Sequence, residues 1–218
     1  IHGDSMVLAS SGRYASVDMA VGRYEAGTTR LVSQIVKPGM VVVDIGAHVG
    51  YFTLLAARLA GPAGKIYAFE PEPANHALLK ENVQRNGYTN VEVVNKAVSD
   101  QTGSTVLFIS SMDTGSNSLY QGRSSDGDQV TVETIAFDSF HADNGNPRID
   151  LMKVDIEGAE IKAIQGMENL LGNQDRPDLI IEFCPFLLKN AGHEPGEMLK
   201  KLGAVYPKMS LVDDKDGL

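Results

Sequence analysis

Three observations predict an α/β fold with a mainly parallel sheet. Strand-like and helix-like stretches alternate from about Met40 onward. Three short, nearly continuous apolar runs, Met40 to Ile45, Asp150 to Ile156 and Asp178 to Cys184, read as strands buried on both faces. The first run leads directly into a glycine-bearing turn that opens a helix, as in a β-α-β unit.

Taken in order, the first 24 or so residues read as an extended piece with a Ser-Ser-Gly-Arg turn, and a helix follows from near Thr28. Pro38-Gly39 punctuates the start of the first strand. Tyr51 to Ala60 is rich in helix formers and is ended by Gly61-Pro62-Ala63-Gly64. Lys65 to Phe69 is a second strand. Pro71 and Pro73 open the next helix, where a missing amide proton costs little, and Asn86-Gly87 closes it. Val91 to Asn95, Ser104 to Ile109 and Gln129 to Ala136 are further strand candidates, the last with imperfect alternation at Val130, Val132 and Ile135. A helix from Ala159 to about Met167 separates the last two buried runs. Glu194 to Leu202 reads as a final helix and Lys208 to Val212 as the start of a terminal hairpin. Ser110 to Asp128 carries no apolar period and is long for a plain connection, so it is either a functional loop or disordered. No repeat, coiled coil or low-complexity tract interrupts the pattern. The expected organisation is one domain over 1–218, with an N-terminal extension and helix in 1–36 and the α/β core in 38–218.

A length of 218 residues suits a single core, and 43% hydrophobic with 22% charged residues excludes wholesale disorder. The formal net charge of −9 repels phosphate backbones and anionic lipid, so neither nucleic acid nor a membrane surface is an expected partner. Cys184 is the sole cysteine, which excludes an internal disulfide and makes a reducing, cytoplasmic setting the expectation. No apolar run approaches a membrane span, and Ile1-His2-Gly3-Asp4 does not read as a signal peptide. The chain does not begin with methionine, so a trimmed chain or a piece of something larger is expected.

The turn Asp44-Ile45-Gly46-Ala47-His48-Val49-Gly50 carries the first functional signal. Gly46 and Gly50 permit a tight turn and a ligand lying against the main chain. The first amides of the following helix favour an anionic group such as a carboxylate. Two glycines four apart do not make the three-glycine cradle of a pyrophosphate. Asp44 would oppose a diphosphate but would receive an ammonium. Glu70, at the end of the second strand, is placed to accept hydrogen bonds from ribose hydroxyls. An amino-acid end joined to a phosphate-free nucleoside describes S-adenosylmethionine. The plain alternative is that the glycines merely let a helix pack closely on a strand.

The second signal is Leu151-Met152-Lys153-Val154-Asp155-Ile156-Glu157-Gly158-Ala159-Glu160. Period-two alternation turns Lys153 and Asp155 to one face and Met152, Val154 and Ile156 to the other. A lysine in a buried strand needs a counter-charge, and Glu182 on the next strand or Asp155 is expected to supply it. A structural ion pair without a catalytic role is the alternative for Lys153 and Glu182. Asp155 and Glu157 fall at the carboxyl end of their strand, where open α/β sheets bind ligands. Two carboxylates there can take a proton from a substrate hydroxyl or join in holding a hard divalent cation. Such a cation would need about six oxygen ligands, so a metal is left open but not predicted. Glu160 reads either as part of this cluster or as a surface acid favoured by the helix dipole.

Val41 to Phe52, Phe69-Glu70-Pro71 and Ile149 to Glu160 together resemble the FkbM family of S-adenosylmethionine-dependent methyltransferases. Tyr24-Glu25, Ser116-Asn117-Ser118-Leu119, Phe137-Asp138-Ser139-Phe140 and Ile181-Glu182 are smaller echoes, so the likeness runs from about Tyr24 to Glu182. The Lys-Val-Asp-Ile-Glu-Gly-Ala-Glu stretch is its specific part. The resemblance implies a Rossmann-like class I methyltransferase fold: a seven-stranded sheet, last strand antiparallel, with helices on both faces. It implies methyl transfer from S-adenosylmethionine, with S-adenosylhomocysteine as product, to a hydroxyl of a sugar or glycan or of a polyketide-like metabolite. It places cofactor contacts at Asp44, Gly46, Ala47, His48, Gly50, Tyr51, Phe52, Glu70, Pro71 and Asp155, with Asn95 and Ala97 after the third strand. Acceptor contacts fall at Glu25, Asn117, Ser118 and Glu182, and Asp155, Glu157 and Lys153 form the catalytic group. Asp155 is the first choice of base, Glu157 the second and His48 the third. Position 48 is commonly asparagine in the family, and the chain stops at Leu218 where the last strand would be completed.

Three other readings compete, the first of them because it shares the β-α-β pattern. A nicotinamide oxidoreductase is opposed by the missing third glycine and by Asp44. A cofactor-binding domain without transfer activity is opposed by the intact acids at 155 and 157. A nucleic-acid methyltransferase is opposed by the charge and by the lack of a basic-aromatic cluster.

Overall fold

The β-branched run at Val41–Ile45 forms β1, buried over its last four residues, at the centre of a parallel sheet. The structure, a computed structural model, describes residues 3–8, 18–19, 23–110, 114–120 and 128–212. The Ser-Ser-Gly-Arg turn and residues 111–113 and 121–127 of the long loop lie outside the described residues.

Five strands build the central sheet in the order β3-β2-β1-β7-β8: β2 is Lys65–Phe69, β3 Val91–Val94, β7 Leu151–Val154 and β8 Asp178–Ile181. All four pairings are parallel, with Asp44 opposite both Ala68 and Lys153. Successive side chains of each strand serve opposite faces. Val43, Ile45, Phe69, Met152 and Val154 face a cluster with Phe137, Ile164, Leu188 and Leu202. Val42, Ile66 and Leu151 face α1 (Ala26–Ile35) and α2 (Tyr51–Ala60) through Val32, Leu55 and Ala56. Helix α3 (Pro73–Arg85) covers Ala68 with Leu79 and Val83. Helices thus lie on both faces, as expected.

A second sheet, in the order β4-β6-β5, joins β4 (Ala97–Ser99), β5 (Gly103–Phe108) and β6 (Gln129–Ala136). The break after β3 coincides with a tertiary contact: Asn95 turns its amide onto the carbonyls of Glu70 and Pro71, at 2.8 and 3.0 Å, and β4 restarts in a different sheet. In place of the expected single seven-stranded sheet, the described residues form a five-stranded parallel sheet and a separate three-stranded one. Its antiparallel pair is β5 with β6. Among the described residues Lys208–Val212 forms no strand.

The expected helix from Ala159 to Met167 is divided. Helix α5 (Glu160–Gln165) stops at Gly166, where a Cβ would lie 1.9 Å from the Ser99 carbonyl oxygen. Helix α6 (Glu168–Gly172) restarts beyond it, capped by Asp138 of α4 (Phe137–Asp143), whose carboxylate accepts from the Asn169 and Leu170 amides. Helices α7 (Pro185–Asn190) and α8 (Pro195–Val205) follow β8. Residues 3–8 lie along α3, where the fully buried Asn82 accepts from the Val7 amide and donates to the carbonyls of Val7 and Val49. No helix among the described residues is long and apolar enough to cross a membrane.

The strand order reverses at β1, since β2 lies on one side and β7 on the other. Ligands of open α/β sheets bind beyond the strand carboxyl ends at such a reversal. That point is bounded here by Gly46 and Asp155.

Candidate functional site

From β1 the chain turns through Gly46 (φ 85°), His48 (φ 51°) and Gly50 (φ 100°) into α2. The amides of Gly46 and Ala47 both donate to the Phe69 carbonyl at the end of β2, at 3.0 and 2.9 Å. A Cβ on Gly46 would lie 1.8 Å from the Asp155 carbonyl oxygen, and one on Gly50 2.6 Å from Leu79 Cδ1. Close packing therefore requires Gly46, and the left-handed φ favours glycine at Gly50, whatever the turn binds. Histidine and asparagine are among the residues that best tolerate the left-handed region. His48 thus takes a backbone conformation that asparagine would also accept.

Asp44 lies beneath this turn, 2% exposed. Its Oδ2 accepts from the Thr53 hydroxyl at 2.6 Å, and the Thr53 amide supports the same carboxylate. Its Oδ1 is buried without a hydrogen-bond partner. Burial raises this carboxyl above its ordinary value, against the pull of Lys153 and Thr53. A buried acceptor left open is costly, and a ligand ammonium is a group that would satisfy it.

Glu70, at the end of β2, accepts from the amides of His48 at 2.8 Å and Glu72 at 3.0 Å. Burial pushes its carboxyl up to about 7, against those amides and Asn75. Two carboxylate oxygens offer about four acceptor positions, more than these partners fill, as ribose hydroxyls would need.

Two cavities meet here. The smaller, about 50 Å³, is lined by Glu70, Pro71, Asn75, Ala97, Val98 and Leu107 and roofed by Gly115, Asn117 and Leu119. The larger, about 950 Å³, has Glu25, Lys153 and Glu182 in its wall together with apolar groups such as Leu179, Ile181, Phe183 and Leu202. Gly46, His48, Gly115, Asp155 and Glu157 line both and form the waist between them. The roof is tied down: Phe108 and Ser118 exchange backbone bonds of 2.9 and 3.1 Å, and the Ser118 hydroxyl donates to the Glu157 carbonyl at 2.7 Å.

At the waist Lys153 donates to Asp155 Oδ2 at 2.8 Å, with its ammonium 4.6 Å from the centroid of the Phe52 ring. The Lys153 side chain is 7% exposed and that of Asp155 26%. Burial opposes the lysine charge, but Asp155, Glu25 and Asp44 outweigh it and hold the ammonium above the ordinary lysine value. Asp155 is thus the counter-ion expected for Lys153. Glu182 follows β8, its amide bonded to the Val154 carbonyl at 2.9 Å, and its Oε2 is buried without a partner. Burial, then repulsion from Asp155, Glu157 and Glu160, pushes the Glu182 carboxyl up to about 9.

The methyltransferase FkbM domain family matches residues 44–208, well over half of the chain. The chain belongs to the FkbM methyltransferase family. Among similar curated proteins is 31-O-demethyl-FK506 methyltransferase FkbM of Streptomyces tacrolimicus, 28% identical over 161 residues, covering 61% of this chain and 61% of that protein. Methyltransferase 1 of Beauveria bassiana is 27% identical over 165 residues, covering 66% of this chain and 64% of its own length. Hexuronic acid methyltransferase AglP of Haloferax volcanii is 27% identical over 180 residues, covering 83% of this chain and 68% of that protein. The chain thus spans less than two thirds of the first two of these relatives. A solved S-adenosylmethionine-dependent O-methyltransferase of Thermotoga maritima is 13% identical with a TM-score of 0.45, covering 92% of this chain and 51% of that one.

Of the residues expected to bind cofactor in this FkbM chain, Gly46, His48, Glu70, Pro71, Ala97 and Asp155 line the smaller cavity. Asp44, Ala47, Gly50 and Asn95 line neither cavity; they shape the turn and the end of β2 from behind. Tyr51 and Phe52 are also behind the waist. Their rings pack at 5.1 Å on one another, and the Tyr51 hydroxyl meets that of Thr29 at 3.3 Å, because the first turn of α2 directs them toward α1. Glu157 and Lys153 reach the larger cavity, as do Glu25 and Glu182. Asn117 instead lines the smaller one, with its Oδ1 accepting from the Ser110 amide, and Ser118 is the roof tie. Glu160 is no surface acid: it is 1% exposed, and its Oε1 accepts from the amides of Ile156 and Gly158, at 3.2 Å each. Thr53 and Asn75 escape sequence reasoning, since a threonine in an apolar helix and an asparagine in a helix's first turn carry no distinctive signal. Among the described residues no three His, Cys, Asp or Glu side chains gather as a metal site would require.

Proposed function

We propose that this chain is the catalytic core of an S-adenosylmethionine-dependent O-methyltransferase acting on a hydroxyl of a sugar, glycan or polyketide-like metabolite. The observation that carries this reading is the waist, where a narrow crevice beside Glu70 opens past Gly46 and Asp155 into a far larger chamber. The donor set fits the cofactor: Asp44 offers an unfilled buried oxygen to an ammonium, and Glu70 offers acceptors to ribose hydroxyls. Pro71, Ala97, Val98 and Leu107 offer apolar walls to a base. Space is lacking with the roof down, because about 50 Å³ is well below the ~300 Å³ at which small-molecule sites begin. Residues 114–120 would withdraw to admit it. Bound there, the cofactor would supply an electrophilic methyl group on a sulfonium.

The protein's own part is alignment and exclusion of water, worth up to about 7–11 kcal/mol in favourable cases. Asp155, held in place by Lys153, receives the hydrogen bond of the acceptor hydroxyl at the waist. Glu25, Glu157 and Glu182 offer further acceptors to a polyhydroxylated ligand, and the leucines, Ile181 and Phe183 receive its apolar part. The substrates named for relatives support this class: a hexuronic acid for one and 31-O-demethyl-FK506 for another. Family membership and the absent third glycine disfavour the nicotinamide oxidoreductase. Titration calorimetry with S-adenosylmethionine and with NAD, followed by labelled-methyl transfer to panels of sugars, glycans and polyketides, tests the proposal. Heat with S-adenosylmethionine alone and label in a hydroxylated acceptor are expected. Binding of NAD without S-adenosylmethionine would refute it.

A further inference from the structure

The proton of the acceptor hydroxyl needs a destination, and Asp155 is poorly suited to be the final one. Its Oδ2 is engaged at 2.8 Å by an ammonium that is itself 7% exposed. Protonating Asp155 would remove the nearest counter-charge from a buried cation, which is strongly unfavourable. Glu182 stands on the neighbouring strand, one residue beyond the Val154–Ile181 pair, so it flanks Asp155 at the same level of the sheet. It lines the same chamber as Asp155, and its buried Oε2 has no hydrogen-bond partner.

Resting on the methyltransferase reading above, we infer that Glu182 is the residue that takes the acceptor proton, and that a cationic ligand at the waist is what ionises it beforehand. The groups facing it explain why. Asp155 and Glu157 beyond β7 and Glu160 of α5 repel a charge on Glu182, while Lys153 attracts one but is committed to Asp155. His48 of the glycine turn, Tyr24 and Glu25 before α1, and Tyr206 and Lys208 at the end of α8 and beyond it, complete the titratable wall of the chamber among the described residues. Burial and this repulsion keep Glu182 protonated at neutral pH. Beside a bound sulfonium, Glu182 would give up that proton to solvent, since the added positive charge would offset the repulsion. In the transfer step the acceptor O–H bond breaks, its proton passes to Glu182, the oxygen–methyl bond forms, and the methyl–sulfur electron pair stays with sulfur. The sulfonium charge is lost as the carboxylate charge is lost, so the waist returns to its resting balance.

Proton counting tests this without turnover. Titration calorimetry near pH 8 in two buffers of different ionisation enthalpy gives the protons released per ligand bound. S-adenosylmethionine, which carries the sulfonium, is expected to release roughly half a proton or more beyond S-adenosylhomocysteine, whose sulfur is neutral. Glu182→Gln should abolish this difference, and the same ligand pair on that variant subtracts the titration of the ligands' own amine. Once an acceptor is known, the variant should keep cofactor affinity within a few-fold while kcat falls about 10²-fold or more. Equal release by the two ligands in the parent protein, or an undiminished difference in Glu182→Gln, overturns the inference and leaves the methyltransferase reading intact. Failure of both ligands to bind removes that reading and this inference together.

Discussion

Replacing Asp155 by asparagine keeps the side chain's shape and removes the charge paired with Lys153. Breaking a buried ion pair from one side costs about 3–5 kcal/mol, because the remaining charge stays desolvated. Here the loss is tempered, since Asp44 and Glu25 also attract the ammonium and the Asp155 side chain is 26% exposed. A destabilisation of about 2–4 kcal/mol is expected, which for a chain of this size lowers Tm by roughly 4–16 °C. Urea unfolding followed by circular dichroism measures it, with an unchanged slope as the check that both proteins unfold alike. The double variant Lys153→Met, Asp155→Asn should regain most of the loss, because neutral groups of similar size replace the whole pair. Asp155→Asn within about 0.5 kcal/mol of the parent, or a double variant weaker than the single one, would refute the buried-pair argument. The same single variant should lose turnover while still binding cofactor.

Four further outcomes follow from the geometry. Gly46→Ala combines a left-handed φ of 85° with a Cβ 1.8 Å from a carbonyl oxygen, so it should destabilise by several kcal/mol and abolish cofactor binding, read by thermal shift and calorimetry. Thr53→Val strips the hydroxyl from Asp44 and should cost about 1–3 kcal/mol in denaturant titration, with weaker cofactor binding beside it. Ser118→Ala frees the roof from the Glu157 carbonyl and should speed both association and release of cofactor in stopped-flow fluorescence. Glu70 and Glu182 are both raised from an ordinary value of 4.5, to about 7 and about 9. Between pH 4.5 and 9 the folded chain therefore binds more protons than the unfolded one, and stability should fall as pH rises through that window. Glu182→Gln should flatten the upper part of that fall, whereas a decline identical to the parent's would show that the carboxyl is not protonated in the fold.

Much of the frame is legible in the sequence because buried parallel strands and glycine turns leave strong marks. β1, α2 and β2 fall on the expected residues, as apolar runs bounded by glycine and proline leave little choice. The division of the strands into two sheets is not legible. It coincides with Asn95 reaching carbonyls 24 and 25 residues away, a tertiary contact without local pattern. The interruption of the helix at Gly166 is equally hidden, because only the approach of Ser99 makes it necessary. At the site, residue types announce Asp44, Glu70, Lys153 and Asp155, since charge in an apolar strand is conspicuous. That Tyr51 and Phe52 line neither cavity is not legible, because a motif gives proximity along the chain but not the direction in which α2 aims its first turn.

Asn82 ties together three stretches of chain: its own helix, the backbone at Val7 and the carbonyl of Val49. Disrupting residues 3–8 would thus be felt at the loop that floors the ligand crevice, although none of those six residues lines either cavity.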